Sequence, residues 1–300
     1  MASVNTVAVI GAGIMGRGIA HVAALGGYRT ILEDILPASL RRAESEIRAN
    51  LEKGVELGKL EESAAEAALS RIQYAGSVEE AAREADLVIE AVPEEMDSKI
   101  EIFTLLDKIC RPATILASNT SSLSVTEIAS VTYRPRKCVG MHFFNPVHKM
   151  KLLEVVRALE TDDETIAAAF EVGTRMGKEV VVIKESPGFI TSRINAMIGN
   201  EAFYMLQEGI ASAEDIDKAL KLGLNHPMGP FELVDLVGLD TRLHILEYLH
   251  KSLGEKFRPA PLLVQHVKAG RLGRKSGRGV FDYPESQKSK EKLSEAKTSH

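Results

Sequence analysis

The segment HFFNPVHKMKLLEVVR, residues 142–157, contains the side chains in this sequence that are best suited to proton transfer. Glu154 interrupts the apolar run at residues 152–156, which is typical of a buried strand. Because a carboxylate is almost never fully buried without a partner, Glu154 predicts a nearby donor or cation. His142 ends another strand-like segment, and an imidazole can take a proton from a hydroxyl group. The pair predicts general acid/base chemistry, and a structural salt bridge is the alternative.

A second candidate site is the glycine-rich segment VAVIGAGIMGRGIA. Gly11, Gly13 and Gly16 form a GxGxxG motif that directly follows a strand-like run and opens a helical pattern. This context predicts a dinucleotide site, in which the loop and its Ile14 and Met15 surround a pyrophosphate. A glycine-rich turn without a ligand is the alternative.

Asp34 closes the next strand-like segment, about 20 residues beyond the glycines, where a carboxylate binds the ribose diol of a dinucleotide. A carboxylate there repels a 2′-phosphate, so the sequence favours NAD over NADP. NAD is therefore the predicted cofactor.

A third polar cluster, Asn119, Thr120, Ser121 and Ser122, also follows a strand-like segment. Helix capping is its alternative role, but Ser124 and Glu127 already have the spacing of a capping box. The cluster is therefore expected to be free to bind a hydroxyl or carbonyl group of a ligand.

The elements that must position these residues alternate between strands and helices up to Lys184. Such alternation predicts an α/β domain of the Rossmann type, with a doubly wound, mostly parallel sheet over residues 1–184. A long helical stretch is expected at about residues 37–70. Residues 185–284 predict an all-helical domain, and residues 285–300, with a single leucine, predict a disordered tail.

The helix expected at about residues 189–207 has apolar side chains on more than one face. A helix of this kind is typical of burial against a second subunit as well as against its own domain. The pattern therefore favours a homodimer formed through the C-terminal helical domain.

Composition excludes several classes of function. The chain has 300 residues and a net charge of −5, which argues against electrostatic binding to nucleic acid or to an anionic membrane. No apolar run approaches the roughly 20 residues that cross a bilayer, and no secretory signal is visible. Cys110 and Cys138 form no CxxC, so neither a disulfide framework nor a metal site is expected. A cytoplasmic location fits these features.

The motifs together resemble those of the 3-hydroxyacyl-CoA dehydrogenase family, especially its short 3-hydroxybutyryl-CoA members. The resemblance covers about residues 5–284 and rests on GxGxMGxGIA, EAVPE, SNTSSL, HFFNP, LLEVV, PGFI and PMGPFELVDLVGLD. No hydratase region precedes these motifs, which is similar to the monofunctional members.

The resemblance implies NAD-dependent interconversion of an L-3-hydroxyacyl-CoA and a 3-ketoacyl-CoA, in fatty acid metabolism, by a homodimer. It implies that His142 is the catalytic acid/base and that Glu154 orients it. It also implies that Ser121 contacts the substrate and that Lys53 contacts CoA. The residues implied on the nicotinamide side of the cofactor are Asn145 and Lys275. The other implied cofactor contacts are Asp34, Ala91, Glu94 and Lys99. For Lys53 a solvated charged helix face is the alternative.

One position departs from the family pattern. Where the family has asparagine two residues after PGFI, this chain has Ser192 in PGFITSR. Ser192 is expected to replace the asparagine, because a hydroxyl group can still donate one hydrogen bond. Asn195, three residues later, is the alternative.

Three other functions fit parts of the sequence. The lysine-dependent dehydrogenases of free 3-hydroxy acids have a similar glycine motif, and a decarboxylating sugar-acid dehydrogenase is a further alternative. A non-catalytic NAD-binding sensor could keep the same fold. The His142 and Glu154 pair argues against all three.

Overall fold

The computed structural model describes residues 4–283, which divide into two compact units between Ser186 and Pro187. The sequence predicts this boundary two residues earlier, after Lys184. The predicted disordered tail, residues 285–300, lies outside the described residues.

The strands of the first unit form one eight-stranded sheet with the order β3-β2-β1-β4-β5-β6-β7-β8. They are β1 Thr6–Ile10, β2 Arg29–Glu33, β3 Ile72–Ala75, β4 Leu87–Glu90, β5 Ile115–Ser118, β6 Cys138–Phe143, β7 Leu152–Arg157 and β8 Glu179–Lys184. Strands β1 to β6 are mutually parallel, so their carboxyl ends lie along one edge of the sheet. The predicted mostly parallel sheet is confirmed.

Helices cover both faces of this sheet. They are α1 Ile14–Leu25, α2 Pro37–Glu56, α3 Glu62–Ser70, α4 Val78–Ala82, α5 Met96–Ile109, α6 Val125–Ala129 and α7 Asp163–Arg175. Alternate residues of β1 enter opposite cores, Val7 and Val9 on one face and Ala8 and Ile10 on the other. A strand covered on both faces is apolar throughout, which explains why β1 reads as a continuous hydrophobic run.

The helical stretch expected at about residues 37–70 is two helices rather than one. Helix α2 ends at Glu56, and α3 begins at Glu62. Gly58, between them, has a φ of 63°, a backbone conformation that glycine adopts at little steric cost and that ends a right-handed helix.

The last two strands reverse the direction of the sheet. Strand β7 pairs antiparallel with β6, and β8 runs parallel to β7. The connection from β6 to β7, residues 144–151, is too short for the crossover of a dozen or more residues that a parallel pair requires. The reversal sets the register in which His142 lies directly opposite Glu154.

The second unit is helical and has its own hydrophobic core, which includes Phe203, Phe231 and Leu246. Its helices are α8 Thr191–Gln207, α9 Ala213–Gly223, α10 Pro230–Val237, α11 Leu239–Leu253 and α12 Pro261–Lys268. Helix α8 begins at Thr191 rather than at about residue 189, because Phe189 has a φ of 52°, outside the right-handed helical region.

No helix among residues 4–283 is long and apolar enough to cross a membrane. The cytoplasmic location expected from the sequence stays a prediction.

Candidate active site

The centre of the site is a buried hydrogen bond between the side chains of His142 and Glu154. Nδ1 of His142 lies 2.7 Å from Oε2 of Glu154. The two residues are only 5 % and 1 % exposed. Side chains directly opposite each other in an antiparallel pair have neighbouring Cβ atoms, so the strand register alone brings the two groups together. The predicted partner of the buried Glu154 is confirmed.

This contact orients the imidazole of His142. A carboxylate at Nδ1 favours the tautomer in which Nδ1 carries the proton, and the acceptor site of the neutral ring is then Nε2. The ring also packs on Phe144, with 4.3 Å between the ring centroids. His142 lines a cavity of about 350 Å³ together with Glu94, Asn119, Ser121 and Asn145. The geometry gives a fixed base beside a space for a small reacting group.

The three glycines of the predicted phosphate loop serve different physical purposes. Gly11 has a φ of 98°, and a Cβ on it would lie 2.9 Å from the carbonyl oxygen of Ala91. A Cβ on Gly16 would lie 1.7 Å from the carbonyl oxygen of Gly11, so α1 can approach the loop only without a side chain there. Gly13 has an ordinary φ of −63° and would place its Cβ in open space. The protein itself therefore gives no reason for glycine at position 13.

A ligand phosphate supplies that reason. Gly13 is the N-cap of α1, where backbone N–H groups point out of the helix and attract an anion. Ile14 and Met15, at the start of the helix, line a cavity of about 630 Å³ together with Gly11, Gly13 and Asp34. Residues Met15, Ala91 and Val92 line this cavity and the His142 cavity as well. The two spaces adjoin, as a dinucleotide that reaches from Asp34 towards His142 requires.

Asp34 lies immediately after β2 and is held by the backbone on both sides. Its Oδ2 accepts a hydrogen bond of 3.0 Å from the N–H of Ala12, and its Oδ1 accepts one of 2.9 Å from the N–H of Leu36. Each carboxylate oxygen keeps a further lone pair. The fixed carboxylate can therefore accept hydrogen bonds from a ribose diol.

A buried ionic network joins the loop after β4 to the sheet. Nζ of Lys99 lies 2.8 Å from Oε1 of Glu90 and 3.2 Å from Oε2 of Glu94. Glu90 also accepts hydrogen bonds from the hydroxyl of Ser118 and the N–H of Val92. Lys99 is 1 % exposed, so in this structure it holds the two glutamates. A direct contact of Lys99 with the cofactor stays a prediction.

Glu94 connects this network to the polar cluster at 119–122. It accepts hydrogen bonds from the hydroxyl of Thr120 at 2.6 Å and from the N–H of Ser121 at 2.7 Å. Burial acts to raise the pKa of Glu94, but the charge of Lys99 and these hydrogen bonds outweigh it and lower the pKa below its usual range. Glu94 therefore stays ionised and fixes the position of Ser121.

The expectation that the 119–122 cluster is free was wrong. The hydroxyl of Ser121 also contacts Glu94, at 3.1 Å, and Oδ1 of Asn119 accepts a hydrogen bond from the N–H of Phe143. Ser124 caps helix α6 as predicted, by accepting a hydrogen bond from the N–H of Glu127. Ser121 and Asn119 are therefore not needed as caps, but they bind Glu94 and the backbone of Phe143 instead. Ser121 still lines the His142 cavity and is oriented there.

Glu33, the last residue of β2, carries a second carboxyl group beside Asp34, and the sequence predicts that this acidic pair favours NAD over NADP. It is 2 % exposed, and its Oε1 has no hydrogen-bond partner among the described residues. Burial and the adjacent charge of Asp34 raise its pKa to about 7.

Two family models match the chain. Residues 6–186 match the model described as 3-hydroxyacyl-CoA dehydrogenase, NAD binding domain, and residues 188–283 match the C-terminal domain of the same enzyme. The chain belongs to the 3-hydroxyacyl-CoA dehydrogenase family. The family resemblance read from the sequence is confirmed, and the protein is an NAD-dependent oxidoreductase that acts on 3-hydroxyacyl-CoA.

Several known proteins align with this chain over nearly the whole of both sequences. A probable 3-hydroxybutyryl-CoA dehydrogenase from Bacillus subtilis is 48% identical over 94% of this chain and 98% of its own length. A 3-hydroxybutyryl-CoA dehydrogenase from Clostridioides difficile is 44% identical over 92% of this chain and 98% of its own. The crystal structure of (S)-3-hydroxybutyryl-CoA dehydrogenase from Ralstonia eutropha superposes with a TM-score of 0.91, at 43% identity, over 94% of this chain and 99% of that one.

Three other residues implied by the 3-hydroxyacyl-CoA dehydrogenase resemblance are Lys53 in the first unit and Lys275 and Ser192 in the second. Lys53, in the last turn of α2, is exposed and pairs with Glu56 at 2.9 Å. Lys275, in the helical unit, pairs with Asp240 at 2.6 Å. Ser192 is a half-buried residue in the first turn of α8. Their contacts with substrate or cofactor stay predictions.

A pair of alanine substitutions separates cofactor binding from folding. We expect Gly13→Ala to leave the unfolding temperature unchanged, because its Cβ meets no atom, and to weaken NADH binding at least about tenfold by blocking the close approach of a phosphate. Gly16→Ala, the matched control, should lower the free energy of unfolding by roughly 2 kcal/mol or more, since its Cβ overlaps a backbone oxygen. Thermal unfolding and NADH fluorescence titration measure the two effects. Unchanged NADH affinity in Gly13→Ala would remove Gly13 from the cofactor site.

Proposed function

We propose that this protein oxidises L-3-hydroxybutyryl-CoA to acetoacetyl-CoA, and catalyses the reverse reduction, with His142 as the general acid/base. The observation that carries the proposal is the 2.7 Å contact between His142 and Glu154 in the wall of a cavity that adjoins the glycine loop. The names of the Bacillus subtilis and Clostridioides difficile relatives support the four-carbon acyl group.

In the oxidative direction, Nε2 of His142 accepts the proton of the 3-hydroxyl group. The glycine loop and Asp34 would hold NAD, which would supply an acceptor for the hydride that leaves carbon 3. Glu154 stabilises the imidazolium that results, because its carboxylate accepts the hydrogen bond of Nδ1 in both protonation states of the ring. In the reductive direction the same imidazolium returns the proton to the 3-oxygen.

The surrounding polar residues position the thioester and the cofactor. Ser121 keeps its backbone N–H on Glu94, and its single hydroxyl hydrogen turns from Glu94 to a substrate oxygen when the thioester binds. Asn145, which lines the same cavity, would contact the nicotinamide side of the cofactor. Lys53 attracts a phosphate of CoA, and its exchange from Glu56 costs little because the pair is exposed. Lys275 approaches the cofactor on the nicotinamide side.

The assembly is proposed to be a homodimer formed through the helical unit. Met197 and Ile194 on α8, and Leu222 and Leu224 at the end of α9, are exposed apolar side chains. A groove of about 470 Å³, lined by Met197, Tyr204 and Leu224, runs along this surface. Light scattering of the intact protein distinguishes a dimer from a monomer of 32.7 kDa.

Turnover of thioesters and free acids tests the function. We expect rapid oxidation of NADH with acetoacetyl-CoA, slower oxidation with longer 3-ketoacyl-CoA thioesters, and none with free acetoacetate. Turnover of the free acid alone would favour the free-acid dehydrogenases, and NADH binding without any turnover would favour a sensor.

Substitution of the buried pair tests the mechanism. His142→Gln should lower kcat by roughly 10² to 10⁴-fold, because the reaction loses its positioned base, while the dissociation constant for NADH stays the same. Glu154→Gln should also lower kcat, since an amide stabilises an imidazolium less than a carboxylate does. Near-normal kcat in either variant would assign the chemistry to another residue. Circular dichroism and NADH titration serve as controls for folding.

Ser192 is proposed to make the substrate contact that asparagine makes in the family pattern. Ser192→Ala should lower kcat/KM roughly fivefold, the loss expected for one neutral hydrogen bond. Asn195→Ala is the matched control, because Asn195 is also half-buried and lies one helical turn further along α8. A larger effect of Asn195→Ala would move the contact to that residue.

A further inference from the structure

Lys178 is a buried cation that the proposed reaction does not use. It lies between α7 and β8 and is only 8 % exposed. Its partners among the described residues are two backbone carbonyls: Nζ donates a hydrogen bond to the oxygen of Val147 and another, of 2.8 Å, to the oxygen of Met150. A methionine of similar length could be buried without removing a charge from water, so packing alone does not explain a lysine at this position.

The two carbonyls belong to the connection between β6 and β7, residues 144–151, which lies beside the proposed base. Phe144 packs on the ring of His142, and Asn145 lines the same cavity as His142. The connection therefore joins the groups around the imidazole to the ammonium group of Lys178.

Other contacts fix the middle of this connection. Val147 is 2 % exposed and packs on α1 at Gly18, where a Cβ would lie 2.8 Å from Cγ2 of Val147. The carbonyl oxygen of Pro146 accepts hydrogen bonds from the N–H groups of Lys149 and Met150, at 2.9 and 3.0 Å. These contacts close a turn and attach it to α1, and the ammonium group attaches the same turn to the residue that precedes β8.

We propose that Lys178 is a positioning residue for the reaction. Its ammonium group holds the β6–β7 connection so that Phe144 and Asn145 stay beside the imidazole of His142. Lys178 lines neither the cavity of His142 nor the one at the glycine loop, so it acts through the connection. The inference rests on the acid/base role proposed for His142.

The protonation state of Lys178 sets the strength of this attachment. Burial lowers its pKa from 10.5 to about 8. Hydrogen bonds from a charged donor are roughly twice as strong as those from a neutral one, and an ammonium group has three N–H donors. The connection is therefore held most firmly below about pH 8.

The two histidines whose charges act on Lys178 do not titrate in the same range. Burial lowers the pKa of His21, on α1, to about 4, and it also lowers the pKa of His148, whose ring stacks on that of His21. Both rings are therefore neutral above pH 7. The other charged residues in the segments that contact or flank Lys178 are Lys149, Lys151, Arg175 and Glu179.

Substitution of Lys178 tests the attachment. We expect Lys178→Met to lower kcat for the oxidation of L-3-hydroxybutyryl-CoA roughly tenfold or more at pH 7, the loss expected when hydrogen bonds from a charged donor are removed, and to leave KM nearly unchanged. Peptides that cover residues 144–151 should exchange their amide hydrogens faster, as measured by mass spectrometry without substrate. Lys149→Met, at an exposed lysine of the same connection, is the matched control and should change neither quantity.

The pH dependence separates positioning from stability. In the wild type, kcat should fall as pH rises through about 8, because the ammonium group loses its proton. Between about pH 8 and pH 10.5 the unfolded chain binds more protons at Lys178 than the folded protein does, so the stability contributed by this group rises with pH. Lost stability therefore cannot cause the fall in kcat. Lys178→Arg, which stays charged, should retain more kcat than Lys178→Met and should not show the fall near pH 8.

Several results would overturn the inference. Faster exchange with unchanged kcat in Lys178→Met would make Lys178 a structural residue only, and a lower kcat with unchanged exchange would show that its effect does not pass through the connection. If Lys178→Met does not fold, a wild-type kcat that stays constant through pH 8 overturns the inference instead. Absence of turnover in the wild type would contradict the proposed function, and the exchange measurement would still test the attachment.

Discussion

Burial of a carboxylate within an apolar strand is the constraint on which the proposed active site depends. Glu154 lies within β7, which is flanked in the sheet by β6 on one side and β8 on the other. An ionised group in that position requires a donor at hydrogen-bond distance, and only the antiparallel register with β6 places His142 there. The reversal of strand direction after β6 therefore brings the two side chains of the proposed active site together.

The same constraint recurs in the same sheet, two strands from β6, at the end of β4. Glu90 is fully buried, and Lys99, Ser118 and the N–H of Val92 compensate it. Through Lys99 the network reaches Glu94, which holds Ser121. Residues at the cofactor side and residues beside His142 thus share one set of buried polar contacts.

Much of this arrangement could be predicted from the sequence, because local patterns encode it. The glycine motif, Asp34 after β2 and Glu154 inside β7 each interrupt a hydrophobic run. Each interruption has a physical reason: close approach of a phosphate, binding of a ribose diol, and the need of a buried carboxylate for a partner. The break between α2 and α3 was missed because the periodicity of apolar residues continues across it, and Gly58 was the signal. The contacts of Ser121 and Asn119 were missed because they involve residues more than 20 positions away in the chain. Sequence spacing does not reveal which of several polar groups will satisfy one another.

The position of the His142 and Glu154 pair within the ladder has a consequence for motion. Strand β6 lies between β5 and β7. Its ladder with β5 extends to Gly140, its ladder with β7 includes His142, and the N–H of Phe143 donates to Oδ1 of Asn119. Amide hydrogens in such interior strands exchange with solvent only through large opening events, whereas loops open readily. We therefore expect the backbone amides of β6 and β7, the strands that hold His142 and Glu154, to exchange more slowly than those of the loops. Any rearrangement during turnover falls to the loops that border the cavities, such as the segment around Glu94 and the one around Asn145.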